Sequence, residues 1–178
     1  MPNRFALRSY ALKDEAAVRR ITQDAFGPEH ASRSVWNLRK ANPIDELGLV
    51  VEDLAISDEN SDVITARIVG SLKFWPIRIS TYPSLLLGPL AVKYYLRGLG
   101  VGRLLVGRAL NQISQNNWDF CLVSGEPDYY PKFGFKSVPN NLVWPGPIER
   151  QRLQFINLRS MDLEKLSDIP LPVLSDID

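Results

Sequence analysis

The chain has 178 residues, 45% of them hydrophobic, and its 21 basic and 20 acidic side chains give a formal net charge of +1. This length predicts one domain, spanning residues 1–178, with a sizeable core. The charge balance favours neither a nucleic-acid nor a membrane-surface partner, and no apolar run approaches the ~20 residues of a membrane-spanning helix.

The cellular compartment is predicted from two further features. The N-terminus lacks the long apolar core of a signal peptide, and the single cysteine, Cys121, cannot form an intramolecular disulfide. We therefore expect a cytoplasmic protein in a reducing compartment.

The first forty residues predict one strand followed by two helices. Phe5–Tyr10 is typical of a strand, and a helix begins at Lys13-Asp14-Glu15 and ends at Gly27-Pro28. Its apolar side is predicted to consist of Ala16, Val18, Ile21, Ala25 and Phe26. A second helix is predicted over Ala31–Lys40. Three of its residues are expected to be buried or to face a substrate: Val35, Trp36 and Leu38.

Two strands are predicted next, over Leu47–Ile56 and Val63–Ile79, joined by the polar segment Ser57–Asp62. This segment lacks the glycine and the terminal glutamate of a calcium-binding loop. We therefore expect a solvated turn there rather than a metal site.

The most informative stretch lies between residues 85 and 115. Leu85–Val92 predicts a buried strand, and a helix is predicted from Val101 to about Gln115. Arg97 and three glycines, at positions 98, 100 and 102, lie at their junction. Glycines allow close backbone approach, and a helix N-terminus carries a partial positive charge. The junction therefore predicts a phosphate-binding loop, with a plain strand-to-helix turn as the alternative.

Two common kinds of phosphate-binding loop do not fit this junction. A P-loop ends in Gly-Lys-Ser/Thr, whereas here Gly102 precedes Arg103-Leu104, which argues against a magnesium–nucleotide site. A dinucleotide-binding loop needs a third glycine three residues after the second, and Arg103 holds that position. The pattern that remains is Arg/Gln-x-x-Gly-x-Gly, which residues 97–102 match.

A second group of informative residues lies downstream. Trp118–Ser124 predicts a short buried strand, which Gly125-Glu126-Pro127 ends. A short helical turn over Asp128–Phe133 follows, and Gly134-Phe135 leads into a new strand. Tyr130 stands four residues ahead of Gly134.

Together these two groups resemble the GNAT superfamily of N-acetyltransferases. Residues 97–102 are similar to its acetyl-CoA pyrophosphate loop, and Tyr130 with Gly134-Phe135 has the spacing of a tyrosine in that superfamily. The joint pattern Gly-Pro-Leu-Ala-Val and Gly-Glu-Pro-x-Tyr-Tyr-x-x-Phe-Gly-Phe is most similar to the YhbS-like branch. The resemblance is specific over residues 85–138, weaker over 5–84 and absent over 140–178.

Two positions depart from the family pattern. Tyr94 stands where many members have proline, and Glu126 stands where the YhbS-like branch usually has aspartate. Neither change removes a backbone donor from the loop, so the cofactor implied by the resemblance is unaffected.

The resemblance implies a mixed α/β fold in a single domain, with a splayed central sheet flanked by helices. The predicted order β-α-α-β-β-β-α-β-α-β fits it, with a parallel crossover through the glycine-loop helix. Over residues 139–178 we expect one more strand, Leu153–Leu158, then irregular proline-rich stretches and a frayed tail at Ser175–Asp178.

The resemblance also implies a binding site for acetyl-CoA that requires no metal. The expected cofactor-binding residues are Leu90, Ala91, Val92, Arg97, Gly98, Leu99, Gly100, Val101, Gly102, Arg103 and Ser124. Backbone groups of the splayed strand end would bind the pantetheine arm, and the loop amides with Arg97 would bind the pyrophosphate. Tyr130 is expected to protonate the leaving thiolate. Helix packing is the alternative role for Tyr130, and capping is the alternative for Ser124.

The activity implied is that of an acetyl-CoA-dependent N-acetyltransferase, in which a primary amine attacks the thioester directly. The acceptor would be a small-molecule or peptide amine, and a homodimer stays open. The alternative is a non-catalytic acyl-CoA-binding sensor or interaction module, because the strand Leu85–Val92 has no glutamate to act as a general base. A binder of another phosphate ligand is the third interpretation.

Several side chains have both a structural and a functional interpretation. The thiol of Cys121 and the sole histidine, His30, are expected to be structural. Three carboxylates either relay a proton through water or are simply solvated: Glu52, Glu126 and Asp128. Three aromatic residues either shape an acceptor pocket or belong to the core: Trp36, Trp75 and Tyr82. Tyr129 is assigned to packing or to the substrate wall.

Overall fold

A mixed β-sheet forms the centre of the protein. The computed structural model describes residues 4–56, 67–160 and 174–176. Seven strands are hydrogen-bonded in the order β1-β2-β3-β4-β5-β7-β6, and β8 pairs with β3. The strands are β1 (Phe5–Ser9), β2 (Leu49–Asp53), β3 (Ile68–Ile79), β4 (Tyr82–Val92), β5 (Phe120–Ser124), β6 (Lys136–Ser137), β7 (Leu153–Asn157) and β8 (Leu174–Asp176). The expected mixed α/β fold is confirmed.

Within the described residues, two α-helices cover opposite faces of this sheet. They are α1 (Glu15–Phe26) and α2 (Val101–Ile113). α1 packs in one cluster with Val50 and Ile68, whereas α2 packs in another with Val51 and Val69. Consecutive strand residues point to opposite faces, so the two helices sandwich the sheet. In the described part of the chain, no helix is long and apolar enough to cross a membrane.

The sheet splays apart between β4 and β5, as the resemblance implied. β4 and β5 are the parallel pair, and their register runs only from Ser84 opposite Phe120 to Leu87 opposite Val123. Beyond Leu87, β4 continues on β3 alone, while β5 turns to β7. The divergence leaves one edge of residues 88–92 without a neighbouring strand.

A bulge in β4 stands at the start of this splay. Leu72 lies opposite Leu90 and Phe74 lies opposite Leu87, so Gly88 and Pro89 together face Lys73. An extra residue bends a strand and redirects its backbone groups. The bulge therefore turns the end of β4 away from β5.

The C-terminal segment packs on the same face as α1. Its buried residues form a cluster with β3, β4 and β5 that includes Leu38, Trp75, Leu86, Phe120, Leu142, Trp144, Leu153 and Phe155. Ser34 donates to the carbonyl of Pro147, and Asn37 donates to the carbonyl of Pro145. The proline-rich stretch thus fixes residues 34–38 against the sheet.

The predicted second helix, Ala31–Lys40, is wrong as an α-helix. The chain forms two short 3-10 helices there, Pro28–Ser32 and Ser34–Leu38, with Arg33 extended between them. Anchoring of Ser34 and Asn37 to distant carbonyls replaces the continuous helical pattern. Leu38 is buried, and Val35 and Trp36 are partly buried, as expected.

Two smaller expectations also need correction. On α1 the buried alanine is Ala17 and not Ala16, which faces solvent. The tail is not frayed over residues 174–176, because β8 covers the edge of β3 at Ile77–Ile79, beyond the end of the β2 pairing. The expected turn over Ser57–Asp62 and the start of the Val63–Ile79 strand lie outside the described residues.

Candidate active site

The glycine loop presents backbone donors to open space. Gly98 and Gly100 have φ of 86° and 88°, and Gly100 caps α2 in the left-handed conformation. A β-carbon at either position would meet nothing within 4 Å. The N–H groups of Gly102 and Arg103 lie in the first turn of α2, where a helix offers them no carbonyl. The arrangement suits an anion.

A cleft of about 300 Å³ leads from this loop to the splayed end of β4. Its lining residues are Ala25, Leu90, Val92, Leu96, Arg97, Gly98, Gly100, Val101, Gly102, Arg103 and Tyr129. Most of the predicted cofactor-binding residues are therefore brought together. Ala91, Leu99 and Ser124 do not line the cleft among the described residues: Ala91 is buried against α1, and Leu99 is exposed.

The backbone of β4 faces this cleft at alternate residues. The Lys93 N–H donates to the Val69 carbonyl. Val92 and Gly70, which lie opposite each other, therefore form a non-hydrogen-bonded pair. Because such pairs alternate with bonded ones, Ala91 bonds to β3, whereas the N–H and C=O groups of Leu90 and Val92 point toward the splay. These are the groups that a ligand between β4 and β5 would meet.

Tyr129 and Tyr130 lie on different sides of their short helix, Tyr130–Phe133. A β-carbon at Gly102 would lie 2.7 Å from the Tyr129 hydroxyl, so Tyr129 closes the loop end of the cleft. Tyr130 is buried edge-on to Phe135, and its Cε2 atom lies 2.1 Å from where a β-carbon of Gly125 would stand. Gly125 directly follows β5, so Tyr130 packs against the end of β5, and unlike Tyr129 it does not line the cofactor cleft.

The electrostatic setting of Tyr130 keeps its hydroxyl protonated. Burial raises the pKa of Tyr130 well above its ordinary value, and the neighbouring Tyr129 and Cys121 act in the same direction. Burial also raises the pKa of Tyr129. Both phenols therefore carry a proton at neutral pH.

A second cavity, of about 340 Å³, opens on the α1 face beside the bulge. α1 and β4 form walls of both cavities: Thr22 and Pro89 line this one, and Ala25 and Leu90 line the cofactor cleft. Trp36 and Trp75 line the second cavity and contact each other edge-to-face. Tyr82 does not contribute, because it packs on Phe120 at the far end of the sheet.

Glu15 and His30 are potential proton acceptors in this second cavity. Lys73 donates to Glu15 at 2.7 Å, and Tyr10 donates to the same oxygen at 2.8 Å. Burial opposes ionisation of Glu15, but the bonds from Lys73 and Tyr10 outweigh it and lower its pKa. His30 Nδ1 lies 2.9 Å from the Gly27 carbonyl, so Nδ1 donates to that oxygen and Nε2 is not used in this bond.

The other candidate groups lie elsewhere or are engaged. Cys121 is fully buried, and burial raises the pKa of its thiol, as expected for an inert cysteine. Glu52 pairs with Arg8, and Glu126 pairs with Arg152. In the described part of the chain no cluster of three or more His, Cys, Asp or Glu side chains could hold a metal.

No pattern in the amino-acid sequence indicates a role for Arg39. Its guanidinium lies 4.7 Å from the Trp36 ring centroid and 5.6 Å from that of Trp75. A β-carbon at Gly88 would be 3.0 Å from its Nη2. Arg39 falls near the end of the predicted helix Ala31–Lys40, and only the packing brings it to the bulge.

Known proteins share both the sequence pattern and the fold. No protein-family model matches the chain. Over 138 residues it is 26% identical to YhbS of Escherichia coli K12, an uncharacterized N-acetyltransferase, covering 75% of this chain and 76% of YhbS.

Two solved structures extend this likeness to the whole fold. The GNAT family N-acetyltransferase YhbS from Escherichia coli, in complex with CoA, has a TM-score of 0.71 at 20% identity, over 98% of this chain and 90% of that one. A GNAT family acetyltransferase from Brucella melitensis, in complex with acetyl-CoA, has a TM-score of 0.65 at 23% identity, over 97% and 96%. This chain shares their fold.

Proposed function

We propose that this chain, which has the GNAT fold and is similar to YhbS over 138 residues, transfers the acetyl group of acetyl-CoA to a primary amine. The observation that carries the proposal is the cleft that joins the glycine loop to the splayed end of β4. At one end the cleft offers backbone amides that can bind phosphate. At the other it offers the backbone N–H and C=O groups of β4 that face the splay. A long ligand with a pyrophosphate and an amide-containing arm needs both.

The residues proposed to hold acetyl-CoA divide along the cleft. Backbone N–H groups of residues 98–103, except that of Leu99, which donates to the Leu96 carbonyl, bind the pyrophosphate together with the exposed guanidinium of Arg97. The backbone groups of Leu90 and Val92 bind the pantetheine arm as a strand would. The relatives crystallised with CoA and with acetyl-CoA support this choice of ligand.

The proposed chemistry is one direct transfer. The lone pair of the neutral amine attacks the thioester carbonyl carbon, the new C–N bond forms and the C–S bond breaks. The β4 amides polarise the carbonyl, and the Tyr130 hydroxyl gives its proton to the departing thiolate. The proton of the amine leaves toward the second cavity, where the Glu15 carboxylate and His30 Nε2 are possible acceptors.

The proposed acceptor site is the second cavity, which adjoins the cofactor cleft at the bulge. Its aromatic walls suit a small molecule or the end of a peptide.

The buried thiol of Cys121 supports a reducing compartment, so we place the activity in the cytoplasm. The continuous sheet supports a single domain.

An assay of acetyl transfer from acetyl-CoA to a panel of amines tests the proposal. The free thiol of CoA that each transfer releases is measured. We expect turnover with wild type and a fall in kcat of roughly 10²-fold or more in Tyr130→Phe, because Phe keeps the ring packing but has no proton to give. Tyr129→Phe is the matched control and should lose much less. Equal rates for Tyr130→Phe and wild type would remove Tyr130 from the acid role. Tight CoA binding without turnover on any amine would favour a sensor.

A further inference from the structure

Arg39 is a partly buried cation without a counter-charge among the described residues. No carboxylate or carbonyl within the described residues bonds its guanidinium, and its Nε atom is shielded from solvent without a hydrogen-bond partner. The nearby indole N–H of Trp75 is also buried and unpartnered. Two donors in one place, both lacking an acceptor, indicate that a group outside the described chain satisfies them.

Other partly buried arginines of this protein are paired. Arg8 donates to both Asp14 and Glu52, and Arg152 donates to Glu126. Burying an unpaired charge is energetically unfavourable, so a protein retains one where a bound partner offsets that cost. Arg39 is the exception to the pattern, and it lies beside the proposed acceptor site.

The position of Arg39 connects it to the reacting centre. Its planar guanidinium stacks on Trp36 and Trp75, both of which line the second cavity. Its Nη2 lies 3.0 Å from where a β-carbon of Gly88 would stand, at the bulge whose Pro89 lines the second cavity. Burial lowers the pKa of Arg39 to about 9, so the side chain still carries its charge at neutral pH.

We propose that the amine acceptor carries an anionic group, a carboxylate or a phosphate, that binds Arg39 and the indole N–H of Trp75. This inference rests on the proposed acetyl transfer and names the substrate class of that same site. A guanidinium offers two parallel N–H donors to such a group. The contacts with the rings of Trp36 and Trp75 hold the Arg39 guanidinium in place.

The spacing along β4 restricts how far the anion stands from the amine. Arg39 lies beside Gly88, and the first β4 amide beyond the bulge that faces the splay, and so could polarise the thioester, is that of Leu90, two residues on. Two strand residues span roughly 6–7 Å. That distance accommodates an amine at the thioester and an anion at the guanidinium separated by a few bonds, as in an α-amino acid. The tryptophan walls favour an aromatic or otherwise apolar side chain.

Initial rates with matched acceptor pairs test the proposal. Each pair differs by the anion alone: L-phenylalanine and phenethylamine, L-tryptophan and tryptamine, O-phosphoethanolamine and ethanolamine. We expect wild type to prefer one class of anionic amine by at least tenfold in kcat/KM, and the preferred pair identifies carboxylate or phosphate. Arg39→Met should reduce that ratio to near one by raising KM for the anionic amine. Equal use of both members of every pair by wild type would overturn the proposal.

Two controls separate recognition of the anion from other roles of Arg39. Arg33→Met removes an exposed arginine that also stacks on an aromatic ring, that of Phe26, and should keep the preference. Arg39→Met should not lower the melting temperature of the ligand-free protein, because it removes an unpaired, partly buried charge. A clear fall in melting temperature, or a change in KM for acetyl-CoA with the preference intact, would contradict the assignment.

A binding measurement keeps the inference testable if no amine is acetylated. Calorimetric titration of N-acetyl-L-phenylalanine and of N-acetylphenethylamine requires no turnover. Wild type should bind the first more tightly, and Arg39→Met should lose the difference. The absence of any difference in wild type, with phosphate-bearing O-phosphoethanolamine also failing to bind, would overturn the anion site independently of the catalytic proposal.

Discussion

At the scale of single residues, the tightest contact near the site is between Gly125 and Tyr130. The ring of Tyr130 occupies the space that a side chain at position 125 would need. Gly125 also ends β5, and its N–H donates to the carbonyl of Arg152. The position therefore holds both the strand end and the tyrosine that is proposed to act as the acid.

We expect Gly125→Ala to destabilise the protein by about 1–3 kcal/mol, because overpacking forces the Tyr130 ring or the strand end to move. It should also lower the rate of acetyl transfer. Urea unfolding measures the first effect and steady-state kinetics the second.

The control for this variant is Gly107→Ala. Gly107 lies within α2 with no atom in reach of an added β-carbon, so alanine there should stabilise the protein by about 0.5–1 kcal/mol. A Gly125→Ala protein as stable as wild type would show that the contact is not rigid.

Residue roles differ in how far the sequence could predict them. The loop glycines and the spacing of Tyr130 were visible because each depends on neighbours close in the chain. The burial of Arg39 and the ion pair between Glu15 and Lys73 join residues that are distant in sequence. Without the pairing of β3 and β4, nothing in the order of residues brings Arg39 to Gly88.

At the scale of elements, the short helix Ser34–Leu38 forms a wall of the acceptor cavity, and hydrogen bonds from the C-terminal segment fix its position. The Trp144 indole N–H donates to Ser34 Oγ at 2.9 Å, and Ser34 Oγ donates to the Pro147 carbonyl at 2.7 Å. Trp144 is buried, so its N–H depends on this one hydroxyl among the described residues. The C-terminal segment thus positions Trp36.

Ser34→Ala should cost about 1–3 kcal/mol of stability, because the buried indole N–H of Trp144 loses its acceptor. KM for the amine should rise while the Kd for acetyl-CoA stays close to that of wild type. Thermal unfolding and kinetics with varied amine check the two effects.

Ser32→Ala provides the comparison for this prediction. Ser32 is exposed and its hydroxyl bonds only the nearby carbonyl of Glu29 among the described residues. We expect little change in stability or in KM. Equal effects of the two substitutions would mean that the link to Pro147 and Trp144 does not support the wall.

The elements themselves were largely predictable, whereas their pairing was not. Periodicity predicted α1, α2 and most strands to within a few residues, and the end of α1 at Gly27 was confirmed. The helix over Ala31–Lys40 failed because bonds to a segment over a hundred residues away decide its form. The splay between β4 and β5 came from the family resemblance, since strand register depends on contacts across the sheet.

At the scale of the whole molecule, ion pairs connect the N-terminal strand, α1 and the centre of the sheet. Asp14 is fully buried and accepts from Arg8, and Glu15 accepts from Lys73 on β3. Burial opposes ionisation of Asp14, but the bonds from Arg8 and from the Ala11 N–H outweigh it and lower its pKa.

These lowered pKa values predict acid instability. A carboxyl whose pKa is lower in the folded state stabilises the fold above its unfolded pKa of about 4, and this contribution is lost as the pH falls through the folded pKa. The melting temperature should therefore drop below about pH 4. Asp14→Asn should lower the melting temperature at neutral pH and reduce its further fall at acid pH. Asp24→Asn, on the exposed side of α1, should keep the wild-type dependence of melting temperature on pH. Parallel profiles for Asp14→Asn and wild type would contradict this.

Titration calorimetry with acetyl-CoA, with ATP as the comparison ligand, tests the central claim most directly. We expect wild type to bind acetyl-CoA with a Kd in the roughly 1 μM–1 mM range typical of enzyme substrates, and ATP far more weakly, because the cleft continues past the loop to the splayed strand. Arg97→Ala should weaken acetyl-CoA by about tenfold, the value of one charged hydrogen bond. No binding of acetyl-CoA, or tighter binding of ATP, would contradict the assignment of the loop and the splay to a coenzyme A site.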